Sequence, residues 1–120
     1  MIGSVRINQA VVSVPFRVPG QPDFSLEFVV DTGFAGHLTL PPAAVAALGL
    51  PFIRRVGANL ANASTVLVNV HTATVVWNGT EREVQVLATG NRPLLGTLLL
   101  DGHELTIQYA DGGIVSIEPL

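Results

Sequence analysis

The sequence predicts an all-β fold with one or two short helices, in a single domain spanning residues 1–120. Short runs of alternating apolar and polar residues, typical of half-buried strands, recur between glycine- and proline-containing turns. The dipeptide Asn78-Gly79 separates two such runs and is a strong signal for a two-residue hairpin turn. A length of 120 residues suffices for one hydrophobic core, and the sequence shows no internal repeat or linker that would divide it.

The first half of the chain predicts strands, a turn and a helix. In residues 1–18 apolar and polar side chains alternate loosely, which predicts one or two strands, followed by a turn from Pro19 to Asp23. Residues 26–30 predict a further strand. In residues 37–40 polar and apolar side chains alternate, as in a half-buried strand. The proline pair at 41–42 and the alanine-rich residues 43–48 precede Gly49, which indicates a short helix.

The second half predicts a loop, a long hairpin and a closing pair of strands. Residues 54–63 are polar and rich in turn residues, and residues 65–77 are strongly strand-forming. The latter should pair with residues 83–87 through the Asn78-Gly79 turn. Residues 97–102 fit a short helix ended by glycine, and residues 104–109 and 113–117 predict two strands joined by a turn.

Composition excludes several classes of partner and chemistry. Six arginines, no lysine and a net charge of −3 provide no basic patch, so we expect no nucleic-acid partner. No apolar run of membrane-spanning length and no secretion signal are found, so we expect no membrane partner and a cytoplasmic location. Charged residues are only 12% of the chain against about 25% in typical domains, which favours apolar surface that meets a partner subunit.

One acidic residue, Asp31, directly follows an apolar run and begins a tight loop between two predicted strands. Residues 28–30 lead into it, Thr32 places a hydroxyl beside it, and Gly33 permits a close turn. This setting favours a positioned acid. The triplet Asp-Thr-Gly is also ordinary turn composition, expected by chance in about a few per cent of chains this long. Alone, it is therefore compatible with a plain turn in a monomeric β domain.

A second motif lies far downstream, where a predicted strand at 84–88 is followed by Pro93 and by Leu94-Leu95-Gly96. In their order and spacing the two motifs resemble those of the retropepsin-like aspartic proteases, and the resemblance extends over nearly the whole chain. The closing pair of strands is similar to small bacterial predicted aspartyl proteases and to cellular domains of the DNA-damage-inducible type. The resemblance implies a closed, barrel-like fold that forms a homodimer.

The resemblance also implies an activity, that of an aspartic endopeptidase acting on peptide or protein substrates without a cofactor. Asp31 would be catalytic. Two carboxyls must share one proton, and this chain carries one such motif, so the second would be Asp31 of the other subunit. Thr32, Gly33, Leu94, Leu95 and Gly96 would support the active-site loop, with Thr32 hydrogen-bonded across the dimer axis.

Substrate-binding residues are implied at two places. Phe34 and Ala35 follow the first motif, and Phe34 stands where most family members have alanine or serine. Its ring would either narrow the substrate cleft or turn inward and pack. Asn59 and Leu60 fall within residues 57–63, which by order correspond to the tip of the flap, the mobile hairpin that covers the substrate in the family. An ordinary surface loop is the alternative interpretation.

Other chemistries find little support in the sequence. His37, His71 and His103 lie more than thirty residues apart and lack metal-ligand spacing, so we expect no metal site. Cysteine is absent, as are a Gly-x-Ser-x-Gly turn and a phosphate-binding loop with its lysine. The alternative function is a catalytically silent homodimeric module that binds peptides or acts as a scaffold.

Overall fold

The computed structural model describes residues 1–59 and 62–120. In these residues the chain is mostly β, with two short helices, as the sequence predicts, and neither helix is long and apolar enough to cross a membrane. The strands are β1 (Ile2–Arg6), β2 (Gln9–Arg17), β3 (Phe24–Val30), β4 (Leu38–Leu40), β5 (Phe52–Asn59), β6 (Thr65–Trp77), β7 (Thr80–Ala88), β8 (Leu94–Leu95), β9 (His103–Ile107) and β10 (Ile114–Pro119), and the helices are α1 (Pro42–Leu48) and α2 (Thr97–Leu100).

All the described strands belong to one sheet, in the order β5-β6-β7-β4-β8-β3-β2-β1-β10-β9. An additional antiparallel pairing joins β2 to β6 through the pairs Phe16–Val75 and Arg17–Thr74. The segment from β6 to β2 therefore curls into a partial ring of six strands. This confirms the barrel-like architecture, while β5 on one side and β1, β10 and β9 on the other extend beyond the ring.

The core is apolar and draws on nearly every strand of the ring. Along β2, alternate residues are buried, as expected for a strand with one face on the core. Phe16 of β2 stacks on Phe24 and Phe28 of β3, with ring centroids 5.7 and 6.0 Å apart. From the other side of the ring, Leu38 and Leu95 are fully buried. Strands β3, β4 and β8 are thus anchored close to the loops that follow them.

The local signals for the hairpin and the first helix are confirmed. Asn78 and Gly79 both have positive φ, 48° and 80°, as a type I′ turn requires, and Trp77 pairs with Thr80 across it. Helix α1 begins at Pro42 and ends at Gly49, which takes the left-handed conformation with φ 65°.

Two of the sequence interpretations are wrong in detail. Residues 54–63 are polar and rich in turn residues, which favours irregular structure, yet Phe52–Asn59 is strand β5, antiparallel to β6. Because β5 lies at the sheet edge and is largely exposed, its own sequence carries no alternating pattern, and its pairing with β6 decides its conformation. Residues 38–40 were expected to be half-buried, but all three are buried because β4 lies between β7 and β8.

Candidate active site

Asp31 follows directly after β3, near the middle of the sheet. The end of β3 runs parallel to β8, with Val29 opposite Leu94 and Val30 opposite Leu95. The Asp31 amide continues this ladder by donating to the Leu95 carbonyl at 2.8 Å. Asp31 itself is half-buried. The two sequence motifs therefore meet, and the second fixes the point at which the carboxylate leaves the sheet.

The turn after Asp31 orients its carboxylate. The Gly33 amide donates to Asp31 Oδ1 at 2.9 Å, and the Phe34 amide donates to the Asp31 carbonyl at 3.1 Å. A Cβ atom at Gly33 would lie 3.2 Å from Oδ1, which is a tight contact. Among the described residues, Oδ2 has no hydrogen-bond partner within the chain. One oxygen is thus held by the backbone, and the other remains available for chemistry.

We call residues 31–37 the Asp31 loop. Besides the Asp31 bond, three backbone hydrogen bonds tie it to the segment after β8. The amides of Gly96, Thr97 and Leu98 donate to the carbonyls of residues 37, 34 and 36 at 2.9, 2.8 and 3.2 Å. Each such bond contributes about 0.5–1.5 kcal/mol to stability. The loop is therefore held by the main chain, independently of its side chains.

The Phe34 ring is half-buried and lies against two glycines. A Cβ atom added to Gly36 would lie 2.5 Å from the ring Cζ, and one added to Gly96 would lie 2.6 Å from the ring Cδ2. At Gly96 the added atom would also meet the carbonyls of Gly36 and Phe34, at 2.3 and 2.6 Å. Sequence reasoning missed Gly36. Its place, two residues after the bulky Phe34 in a glycine-containing loop, was the available signal.

The remaining candidate residues lie on two different parts of the molecule. Thr32 and Ala35 are exposed on the Asp31 loop. Asn59 is the last residue of β5, and its side-chain oxygen accepts a hydrogen bond from the Thr65 hydroxyl at 3.1 Å. Gly57–Asn59, predicted to lie at the flap tip, are residues of strand β5, so the paired part of the hairpin is longer than the sequence predicts. Leu60 lies outside the described residues.

The β5–β6 hairpin extends beyond its neighbour β7. The last residue of β7, Ala88, pairs with Asn69, so residues 56–59 and 65–68 pair only with each other. We call these two segments the outer hairpin. Its faces differ: Val68 is buried, whereas the neighbouring Leu67 is 71% exposed on the opposite face. Val56, Ala58 and Val66 lie on the same face as Val68, so this face is apolar, and the other face carries the exposed Leu67.

His37, the last residue of the Asp31 loop, is held as a neutral imidazole. Its Nδ1 accepts a hydrogen bond from the Gln85 amide at 3.0 Å. Burial lowers the pKa of His37 from its ordinary value near 6.5, and the charge of Arg82 lowers it further. Within residues 1–59 and 62–120, no cluster of three or more His, Cys, Asp or Glu side chains could hold a metal ion.

Comparison with known proteins identifies the fold. No protein-family model and no curated protein matches the chain. Among solved structures, the chain is similar to the crystal structure of a retropepsin-like aspartic protease from Rickettsia conorii. The TM-score is 0.59 at 18% sequence identity, over 96% of this chain and 87% of that chain. The chain therefore has a retropepsin-like fold, as the two motifs indicate, and at this identity the similarity shows the fold alone.

Proposed function

We propose that the chain is an aspartic endopeptidase that hydrolyses peptide bonds with a water activated between the Asp31 carboxyls of a homodimer. The observation that carries the proposal is that hydrogen bonds fix both the backbone and one side-chain oxygen of Asp31. Its backbone is fixed to β8 and one carboxylate oxygen is held by the Gly33 amide, within a retropepsin-like fold. Such positioning is what a catalytic acid or base requires.

A second copy of the chain would supply the second carboxyl. Two carboxyls in contact share one proton, because like charges this close cannot both ionise cheaply. Around the Asp31 loop, Thr32 is exposed and Leu98 of α2 is 46% exposed, which supports a partner covering this region. In the described part of the chain the Thr32 hydroxyl has no hydrogen-bond partner, so it is free to bond across a two-fold axis.

In the proposed reaction the two Asp31 carboxyls act in different protonation states. The ionised one removes a proton from the water, and the protonated one donates to the scissile carbonyl oxygen, which gives a tetrahedral intermediate. Transfer of a proton to the amine then breaks the peptide C–N bond. The Gly33 amide would keep Oδ1 oriented in both states. Activity should favour mildly acidic pH, where the pair holds a single proton.

The substrate would lie between the Asp31 loop and the hairpin. We propose that Ala35 contacts it from the loop side and that Asn59 and Leu60 contact it from the hairpin, whose apolar face would cover an extended peptide. The Phe34 ring lies against Gly36 and Gly96, so it would influence the substrate through the shape of the loop. Leu94, Leu95 and Gly96 would hold the Asp31 loop in place by packing against it.

Replacing Asp31 tests the proposal directly. Asp31→Asn keeps the side-chain shape but cannot share the proton, so peptide cleavage at pH 4 to 7 should fall at least about a thousand-fold. Asp111→Asn is the matched control, because Asp111 is an exposed turn residue remote in sequence from the loop. The wild-type cleavage should also be inhibited by pepstatin. Normal cleavage by Asp31→Asn would disprove the assignment.

Sedimentation velocity tests the required homodimer. Both the wild type and Asp31→Asn should sediment as dimers, since the substitution leaves the fold and its surface intact. A strictly monomeric protein at high concentration would leave no route to two facing carboxyls. A stable dimer that cleaves no peptide in a broad library would instead identify a silent binding module.

A further inference from the structure

An apolar cavity lies between the turn after β2, the segment before β5 and the middle of β6, and no residue of the Asp31 loop lines it. Its lining includes Val18 and Pro19 from the turn after β2, Leu50 and Pro51 before β5, and Ala73 of β6. The cavity volume is about 150 Å³. An apolar cavity of this size can accommodate a benzene ring. One aromatic or aliphatic side chain therefore fits in it.

The walls of the cavity are already in place. The Leu50 carbonyl accepts a hydrogen bond from His71 Nδ1 at 2.8 Å, and the Pro51 carbonyl accepts one from the Thr72 amide at 2.9 Å. These bonds fix the segment before β5 against β6. Preformed apolar cavities bind ligands well because little ordering of the protein is needed on binding.

A polar depression adjoins the cavity and shares Arg17, Val18, Pro19 and Thr74 with it. Its volume is about 390 Å³, and it adds the carboxylates of Asp23 and Glu81 to the lining. Arg17 already donates to both, at 3.0 Å to Asp23 and 2.7 Å to Glu81. The two concavities therefore form one continuous surface with an apolar end and a charged end.

The charge on this surface is unbalanced. Glu83 also lines the apolar cavity, and in residues 1–59 and 62–120 it makes no ion pair. The lining of the two concavities thus carries three carboxylates, Asp23, Glu81 and Glu83, and one guanidinium, that of Arg17. The field at the rim favours a cation over an anion, and it should weaken at high salt because the groups are exposed.

We propose that this surface binds a peptide segment in which an apolar side chain lies within two positions of a lysine or arginine. The apolar side chain fills the cavity, and the cation lies against the Glu83 and Glu81 carboxylates. A peptide provides both groups on one backbone, and alternate side chains of an extended segment point to the same side. The site is separate from Asp31, and binding there requires no cleavage.

An NMR titration of the ¹⁵N-labelled Asp31→Asn protein tests the proposal without interference from hydrolysis. Acetyl-Phe-Gly-Lys-amide at millimolar concentration should shift the amides of Thr72, Ala73 and Thr74. Acetyl-Phe-Gly-Glu-amide should bind at least about three-fold more weakly, as expected for exposed charges. Equal binding of the two peptides, shifts confined to the Asp31 loop, or no shifts would each overturn the proposal.

Variants separate the two halves of the site. Glu83→Gln should weaken the lysine peptide about three-fold, whereas Glu104→Gln, at the far edge of the sheet, should leave its affinity unchanged. Thr74→Phe should fill the cavity and abolish binding, and the Glu83 comparison decides the outcome if that variant fails to fold. An unchanged affinity in Glu83→Gln would overturn the charge argument. Free 2-phenylethylamine binding as tightly as the peptide would overturn the choice of a peptide.

Discussion

The Asp31 loop and the outer hairpin would face the same substrate, but they are held in different ways. Four main-chain hydrogen bonds link the loop to residues 95–98, in the middle of the sheet. The outer hairpin pairs only with itself. Its local side-chain bonds, Thr65 to Asn59 and Ser64 to Asn62, lie near its end. The loop is bound to the segment at and after β8 and, through His37, to β7, whereas the outer hairpin depends on a single ladder.

This difference fits the separate tasks of the two regions in the proposed reaction. A catalytic carboxyl must be held to a fraction of an ångström, which requires a loop fixed by many contacts. A cover must admit and release a peptide, so it belongs to the part of the fold with fewer contacts. The same small substitution should therefore have very different consequences in the two regions.

Replacing a glycine in each region tests this contrast, and the largest effect is expected at Gly96. Its φ of −103° suits any residue, so the glycine is required for space alone. A methyl group there would lie 2.3 Å from the Gly36 carbonyl and 2.6 Å from that of Phe34, both of them backbone atoms. Gly96→Ala should lower the free energy of unfolding by about 3 kcal/mol, measured by urea denaturation.

The matched substitution in the outer hairpin is Gly57→Ala. There the added methyl group would meet only the methyl of Thr65, at 3.2 Å, and that side chain can move. The free energy of unfolding should change by less than about 1 kcal/mol. Similar losses in the two variants would remove the contrast between the regions.

A double-mutant cycle on Phe34 and Gly36 tests whether the aromatic ring locks the loop. The three atoms nearest to an added methyl at Gly36 would be ring atoms of Phe34, at 2.5, 2.8 and 3.5 Å. Gly36→Ala should therefore cost about 1–2 kcal/mol beside Phe34 and less than about 0.5 kcal/mol in the Phe34→Ala background. Urea denaturation of the four proteins gives the coupling energy. Additive effects would show that the ring and the glycine are independent.

Much of the fold could be predicted from local sequence. The Asn78-Gly79 turn and the proline and glycine that bound α1 specify backbone angles within a few residues, and both elements form as predicted. The alternation in residues 83–87 placed Val84 and Val86 inward, and both are buried. The Asp-Thr-Gly and Leu-Leu-Gly motifs indicated the retropepsin-like fold, because their residues must meet in space.

The rest depended on contacts between residues distant in sequence. Strand β5 is mostly exposed and carries Arg54 and Arg55, so only its ladder with β6 shows that it is a strand. The closure of the ring through Phe16 and Val75 left no local signal. The position of the Phe34 ring depends on space left by Gly96, more than sixty residues away, and no pattern within the loop encodes that space.

Gln85 connects the Asp31 loop to the first half of β5, below the outer hairpin, and leads to the smallest expected effect. Its amide donates to His37 at the end of the Asp31 loop, and its side-chain oxygen accepts from Arg54 of β5 at 2.9 Å. Protonation of His37 Nδ1 would break the first of these bonds and leave the second intact. Acidification should therefore break the bond between Gln85 and His37 before the bond between Gln85 and Arg54.

The pH dependence of stability measures this effect. Burial, and after it Arg82, lowers the pKa of His37 in the folded protein, so the unfolded chain takes up a proton that the folded chain lacks. The contribution of His37 is complete above about pH 6.5 and is lost as the pH falls through the folded-state pKa. It should be smaller than the effects expected at Gly96 and Gly36 because the side chain is only half-buried. Urea denaturation between pH 5 and 7.5 gives the free energy of unfolding as a function of pH. This free energy should depend less steeply on pH in His37→Gln than in the wild type, and Arg82→Gln should be intermediate. Identical pH dependence in all three proteins would refute this origin.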